Sequence, residues 1–228
     1  TNTISAAVAQ DSGAPITTVV FGSSLAAGEM GIFVEPDSPI QTMEDLDGRS
    51  VGVNTTNNMG DVTFNNLARE EGADASPEWV EVPFNEMVNG VLSGSIEAGY
   101  VPEPFRSAAI QAGLREVVDL ASGPHDGMPA ATFITGKTFL QQNPNTVQAF
   151  VDAMYAANRD LLEKEDEFRA WLPEVAGVDE ETANMMTLPH FDTETDVKRL
   201  ASVTAILQDQ GLLPDDFDAA DHTYVADE

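Results

Sequence analysis

Hydroxyl and amide side chains crowd one short stretch, Asn54-Thr55-Thr56-Asn57-Asn58, between the strand-like Val51-Gly52-Val53 and a helical pattern that opens near Gly60. The first backbone N–H groups of a helix have no partner inside it. A loop of this kind therefore aims main-chain and side-chain donors at one point, which suits an anion or the polar head of a ligand. Thr56 and Asn58 are also the residue types that simply cap helices. The loop has neither the GxGxxG spacing of a dinucleotide site nor the GK[ST] of a P-loop, so phosphoryl-transfer chemistry is not indicated. A second candidate is Pro102-Glu103-Pro104-Phe105, where the prolines fix an extended turn that presents a carboxylate beside an aromatic ring. Glu103 reads either as an acceptor for a ligand donor or as a solvated carboxylate next to a core ring. Ser23 and Ser24 occupy a further strand-end loop, with ordinary turn residues as the alternative.

Other reactive types form no constellation. His125, His190 and His222 have no metal-site spacing, and each reads as structural. No GxSxG elbow is present. With zero cysteines there is no thiolate nucleophile, disulfide or cysteine metal site. The sequence therefore predicts no catalytic residue, no metal and no cofactor. Phe150, Tyr155, Phe168 and Met185-Met186 fall at helical spacings and read as core, and residues 163–167 as a solvated helix face.

The elements that must hold these groups alternate between strand and helix, which argues an α/β architecture with largely parallel sheets. Strands are predicted over residues 16–21, 31–34, 49–54, 78–82, 96–101, 114–120 and 131–135. Helices are predicted over 3–10, 60–71, 86–93 and 106–112, with a single helical turn at 42–46. From residue 141 the pattern turns helical: Pro144 at a helix start, a long amphipathic stretch to Trp171, a short helix after Asp179, and a last helix over 193–210. Residues 215–228 carry turn signals alone. Both candidate loops of the central region lie at carboxyl ends of strands, where open α/β sheets place ligands.

Composition narrows the classes. The 228 residues suffice for one large domain or two small ones. Lys plus Arg number 10 against 39 Asp plus Glu, for a net charge of −29. Ten scattered cations cannot build a nucleic-acid groove, and so acidic a chain is repelled by an anionic membrane. The acidity reads as a solvated anionic surface. No apolar run is long enough to span a membrane, and no signal-peptide pattern opens the chain.

With these residues in place the sequence resembles the solute-binding proteins of ABC importers, in the nitrate/sulfonate/thiamine-precursor branch of the type II periplasmic-binding fold. The resemblance is carried by Ile40-Gln41-Thr42-Met43-Glu44-Asp45-Leu46-Asp47-Gly48-Arg49-Ser50-Val51-Gly52-Val53, by Leu92-Ser93-Gly94-Ser95-Ile96-Glu97-Ala98, and by Val101-Pro102-Glu103-Pro104-Phe105. It implies a two-lobed α/β fold, with residues 1–33 and 131–228 as a partial lobe I and 34–130 as lobe II. The family's opening segment is expected to be missing, because Thr1-Asn2-Thr3-Ile4-Ser5-Ala6-Ala7 resembles the helix that follows it. The implied function is capture of a small polar or anionic organic solute between the lobes, lined by Asn54, Thr55, Thr56, Asn58, Glu103, Ser23 and Ser24. The implied partners are that solute and an ABC permease in the membrane, with no nucleic acid. The implied location is periplasmic or extracellular, through a membrane tether outside this sequence. Two alternatives stay open: an enzyme on the same fold, of the menaquinone-pathway lyase type, and a sensory ligand-binding ectodomain.

Overall fold

β-branched runs bounded by glycine or proline form the strands, and the periodic segments between them form the helices. A computed structural model describes residues 1–225. In chain order the first half comprises α1 (Thr3–Asp11), β1 (Ile16–Ser24), β2 (Met30–Val34), β3 (Ser50–Val53), α2 (Met59–Glu71), β4 (Glu78–Glu81) and α3 (Phe84–Leu92). There follow β5 (Ala98–Pro102), α4 (Phe105–Gln111), β6 (Arg115–Asp119), β7 (Pro129–Gly136), α5 (Lys137–Gln142) and α6 (Pro144–Glu163). The last part holds α7 (Glu165–Ala176), α8 (Glu180–Met185), β8 (His190–Phe191) and α9 (Leu200–Asp209). Local chemistry sets several ends. The Asn2 side chain accepts the Ser5 N–H at 2.8 Å to start α1, Pro144 opens α6 where its missing N–H costs nothing, and Gly72 closes α2 at φ 69°, a conformation that favours glycine.

Two compact units divide the chain. One contains Ala26–Asp126 and Arg169–Leu188. Its five-stranded sheet has the order β4-β3-β5-β2-β6. β3 runs parallel to β4 and β5, whereas β2 runs antiparallel to β5 and β6. It follows that β3, β4, β5 and β6 all end at the same edge, the one at which β2 begins. A cluster of Phe33, Met87, Val91, Ile96, Val101, Ala109 and Leu114 fills one side of this sheet. Each fully buried side chain of that size contributes about 1.5–3 kcal/mol. Gly60, at the start of α2, lies against Tyr100 so closely that a Cβ there would stand 2.6 Å from the ring, so the helix can approach the sheet only without a side chain at that point.

The other unit contains Thr1–Leu25, Gly127–Phe168 and Pro189–Glu228. Its sheet, β7-β1-β8, is antiparallel throughout, with Ile16 opposite Gly136 and Ser24 opposite His190. Val19 and Val20 of β1 pack on Val147, Val151 and Tyr155 of α6. Tyr155 also accepts the Phe21 N–H through its hydroxyl, and Asn158 donates to the carbonyls of Gly22 and Asp192.

The structure departs from the sequence reading in several places. Neither sheet is largely parallel: the three-stranded sheet is antiparallel, because β1 runs against both β7 and β8, and the five-stranded sheet is mixed, because β2 runs against both its neighbours. The first crossing between units falls after Leu25, ahead of the expected Phe33-Val34, since β2 is an interior strand of the five-stranded sheet; residues 169–188 join that unit too. The helix predicted to run to Trp171 breaks at Lys164, whose backbone leaves the helical region. The predicted helix 193–210 is shorter, with a two-residue strand and a 3-10 turn before α9. The tail is not turns alone. Ala219–His222 forms a 3-10 turn, and the Tyr224 N–H donates to Thr18 O at 2.8 Å. The last part of that expectation, residues 226–228, lies outside the described residues.

Candidate functional site

The carboxyl edge of the five-stranded sheet gathers the loops that follow β3, β4, β5 and β6. Asn54, Thr55, Thr56 and Asn58 stand together there, in the loop between β3 and α2. Asn58 is the N-cap of α2: its side-chain oxygen accepts the Met59 N–H at 2.8 Å, and Asp61 reciprocates on the Asn58 N–H at 2.8 Å, a capping box. The Asp61 carboxylate also takes the Asn57 N–H. Asp61 is 4% exposed, and burial pushes its carboxyl above the ordinary aspartate range despite these donors. One residue earlier, Thr56 donates both its N–H, at 2.9 Å, and its hydroxyl, at 3.0 Å, to Glu81 Oε1 at the end of β4. These bonds hold the exposed Glu81 carboxyl below the usual range, the backbone N–H contributing most. Thr55 is exposed and turns its hydroxyl onto Asn54 O at 2.8 Å. The N–H groups of Thr56, Asn57 and Asn58, which the sequence aims at an anion, are thus donated to the chain's own carboxylates.

Glu103 lies on the same edge, after β5, and its side chain is 4% exposed. The bond from Glu103 to Pro104 is cis. Its oxygens accept the Ser107 N–H and hydroxyl, each at 3.0 Å, and the Thr187 N–H at 3.2 Å, while Arg106 Nη1 stands 3.8 Å away. Glu103 therefore closes the first turn of α4 and fastens residue 187 to the sheet. Arg106 is itself engaged, donating to both oxygens of Glu116 at 3.1 and 2.7 Å. That pair lies over Gly31, where a Cβ would run into the Glu116 carboxylate and stand 2.7 Å from Val118 O. At the end of β6, Asp119 accepts the Gly28 N–H at 2.9 Å.

Ser23 and Ser24 belong to the other unit. Ser24 is fully buried: its hydroxyl donates to Asp192 at 2.8 Å and accepts from Arg199, which also pairs with Asp192 and donates to Gly127 O at 2.7 Å. Ser23 is buried in the pairing of β1 with β8. Both hydroxyl positions are strand positions, because β1 runs three residues past its predicted end.

Among the residues the sequence reading passed over, Glu81 and Asp61 decide the electrostatics of the edge. Glu81 was legible only as a strand end; its meeting with Thr56 requires β3 and β4 to pair in parallel, Val53 beside Glu81. Two aromatic rings missed as a pair, Phe84 and Phe105, open α3 and α4 at this same edge and stack at 5.5 Å, with Tyr100 5.8 Å from Phe84. Among the described residues no group of three or more His, Cys, Asp or Glu is disposed to hold a metal ion.

The chain is thus an α/β protein in two units, one with polar loops along the carboxyl edge of its sheet. The chain belongs to the family described as NMT1/THI5 like, whose model matches residues 1–168. No curated protein matches it. Among solved structures, the aliphatic sulphonate binding protein SsuA of Escherichia coli superposes with a TM-score of 0.74 at 18% identity, over 97% of this chain and 77% of that one. The alkanesulfonate-binding protein SsuA of Xanthomonas axonopodis pv. citri, bound to MOPS, gives 0.78 at 18% identity, over 98% and 78%. The desulfurization enzyme DszB gives 0.71 at 18% identity, over 97% and 81%. The fold is therefore that of the periplasmic binding proteins, and it also carries an enzyme. Among the described residues no helix is long and apolar enough to cross a membrane.

Proposed function

We propose that this protein is the extracytoplasmic solute-binding component of an ABC importer, capturing a small polar organic solute without altering it and handing it to a membrane permease. The observation that supports this reading is the carboxyl edge of the five-stranded sheet, where the polar side chains of Asn54, Thr55 and Thr56 gather in the loop after β3, at the end of the strands where open α/β sheets place ligands. Asn54 and Thr55 are the proposed contacts, Asn58 and Glu103 the groups that fix the loop ends, and Ser23 and Ser24 a rigid strand terminus in the other unit. Sulfonates, nitrate and pyrimidine precursors are the solute classes that the family resemblance brings to the test.

Binding to the folded state alone stabilises it by about 2.7 kcal/mol at a hundred times the dissociation constant. For a chain of this size that raises the melting temperature by roughly 5–11 °C. A thermal-shift screen followed by chromatography of the recovered compound tests the reading. Recovery of the compound unchanged is the expected result. Recovery of a chemically altered compound overturns it in favour of an enzyme, a reading that DszB on the same fold keeps in view.

A further inference from the structure

The unit that carries the three-stranded sheet holds a groove of its own, of about 550 Å³, within the size range of ligand pockets. Its first wall is one face of α9 and of the 3-10 turn before it: Val197, Leu200, Ala201, Thr204 and Gln208, at the three- and four-residue spacing that places side chains on one side of a helix. Its second wall is the segment 215–220, which is fastened to that face at both ends. Gln208 Nε2 donates to Pro214 O at 3.0 Å and to Phe217 O at 3.4 Å, and the 3-10 turn Ala219–His222 packs on Val197–Arg199. The two walls therefore run antiparallel, with residues 215–217 beside Gln208 and residues 219–220 beside Lys198. Buried Leu200, Phe217 and Ala219 make the lining apolar.

Polar groups stand at the ends of this groove and between them. Lys198 is exposed at one end, Asp215 and Asp216 at the other, and among the described residues none of these three side chains has an ion pair or a hydrogen bond. Asp218 is engaged already, accepting the Ala220 N–H at 2.9 Å. Between the ends Thr204 is 8% exposed, and among the described residues its hydroxyl has no partner. A buried hydroxyl left unpaired is costly, and a ligand lying in the groove supplies the missing bond. We propose that the groove binds an elongated zwitterion, a short peptide of about four residues with free termini, its carboxylate at Lys198, its ammonium at Asp215 and Asp216, and a main-chain amide at Thr204. At about 1.5 Å per helical residue the two ends stand about 15 Å apart, the reach of roughly four extended residues at about 3.4 Å each. A bare hydrocarbon chain would leave Thr204 unpaired, and a dication or a dianion would meet a like charge at one end. The groove lies in a different unit from Asn54, Thr55 and Thr56, so peptide capture there stands whatever those residues bind.

Calorimetry at about 0.15 M salt, where charges more than ~8 Å away are largely screened, tests this with tetra-alanine, its N-acetylated form and its C-amidated form. The expected result is that tetra-alanine binds and that blocking either terminus weakens it about two- to fivefold, the range of an exposed ion pair. Lys198→Met should abolish the penalty of amidation and leave that of acetylation, and Asp215→Asn combined with Asp216→Asn should do the reverse. All three residues are exposed, so these variants fold. Thr204→Val should weaken tetra-alanine about two- to tenfold while melting no lower than the wild type, since the lost hydroxyl has no partner in the fold. Failure of tetra-alanine to bind overturns the inference, as does binding that both charge variants leave unchanged, which would place the peptide elsewhere on the chain. A fall of several degrees in the melting temperature of Thr204→Val also overturns it, because the hydroxyl would then be bonded within the protein.

Discussion

Replacing Asp61 by alanine removes the carboxylate that closes the capping box of α2. Asn57 and Asn58 lose the acceptor of their N–H groups, in a setting where Asp61 itself is 4% exposed. A helix N-terminal cap is worth about 1 kcal/mol, and a bond to a charged acceptor about 1.5–3 kcal/mol. Burial pushes the Asp61 carboxyl up, so desolvation already offsets part of this gain and the lower end applies. The expected loss is about 2–3 kcal/mol, a fall in melting temperature on the order of 4–12 °C at ~2–4 °C per kcal/mol. Asp61→Asn, which keeps one acceptor oxygen, should lose about half as much. Calorimetric melting of the two variants beside the wild type reads this directly. Asp61→Ala melting within about 1 °C of the wild type would refute the reasoning, because it would mean that the loop before α2 is held by other contacts.

Two more expectations follow from buried polar groups. The His125 ring is fully buried, with Nδ1 2.8 Å from Leu120 O and Nε2 2.9 Å from the Asn66 amide; a carbonyl only accepts, so Nδ1 carries the proton and Nε2 accepts. Burial depresses the imidazole pKa below its usual 6.5, so the unfolded chain takes up the proton first; the stability this group contributes is present above pH ~6.5 and is lost as pH falls below it. Urea midpoints from pH 8 to pH 5 should show the wild type losing ground to His125→Asn on acidification, and parallel curves would refute this. Arg199→Met leaves Asp192, whose side chain is 6% exposed, without its charge partner. Because Arg199 itself reaches solvent, the cost lies near the low end for a broken buried pair, about 3 kcal/mol. The double variant Arg199→Met, Asp192→Asn should recover at least half of it, and strictly additive losses would show that the two side chains are not coupled.

Elements whose signal is local were legible in the sequence. β3, α2 and β5 stand within two residues of their expected bounds because β-branched runs, caps and glycines mark them within a short window. The polar loop before α2 was legible for the same reason. Sheet direction was not, since nothing in Gly31-Ile32-Phe33-Val34 reveals that β2 opposes both its neighbours. The state of the loop donors was equally hidden. Thr56 and Glu81 lie 25 positions apart in the chain and meet only once β3 and β4 pair. Glu103 read as a ligand acceptor or a solvated carboxylate, and the sequence could not show that it is bonded within the chain, since one of its donors, Thr187, lies 84 positions away. What the sequence conceals at this edge is therefore the long-range pairing of its acids.

The interleaving of the two units along the chain also sets the order in which their strands are synthesised. Once Asp119 has emerged, every strand of the five-stranded sheet is available, all drawn from one continuous stretch. The three-stranded sheet has no such head start. β1 precedes that stretch, yet its partner β7 begins only at Pro129 and β8 at His190, and Tyr224, which donates to Thr18, comes later still. β1 thus precedes β7 by about a hundred residues, a delay of roughly 5–20 s at ordinary elongation rates. Its Thr17, Thr18, Ser23 and Ser24 break up the apolar run Val19-Val20-Phe21 on either side. Flanking polar residues of this kind are how nascent chains keep an exposed strand from pairing with the wrong neighbour.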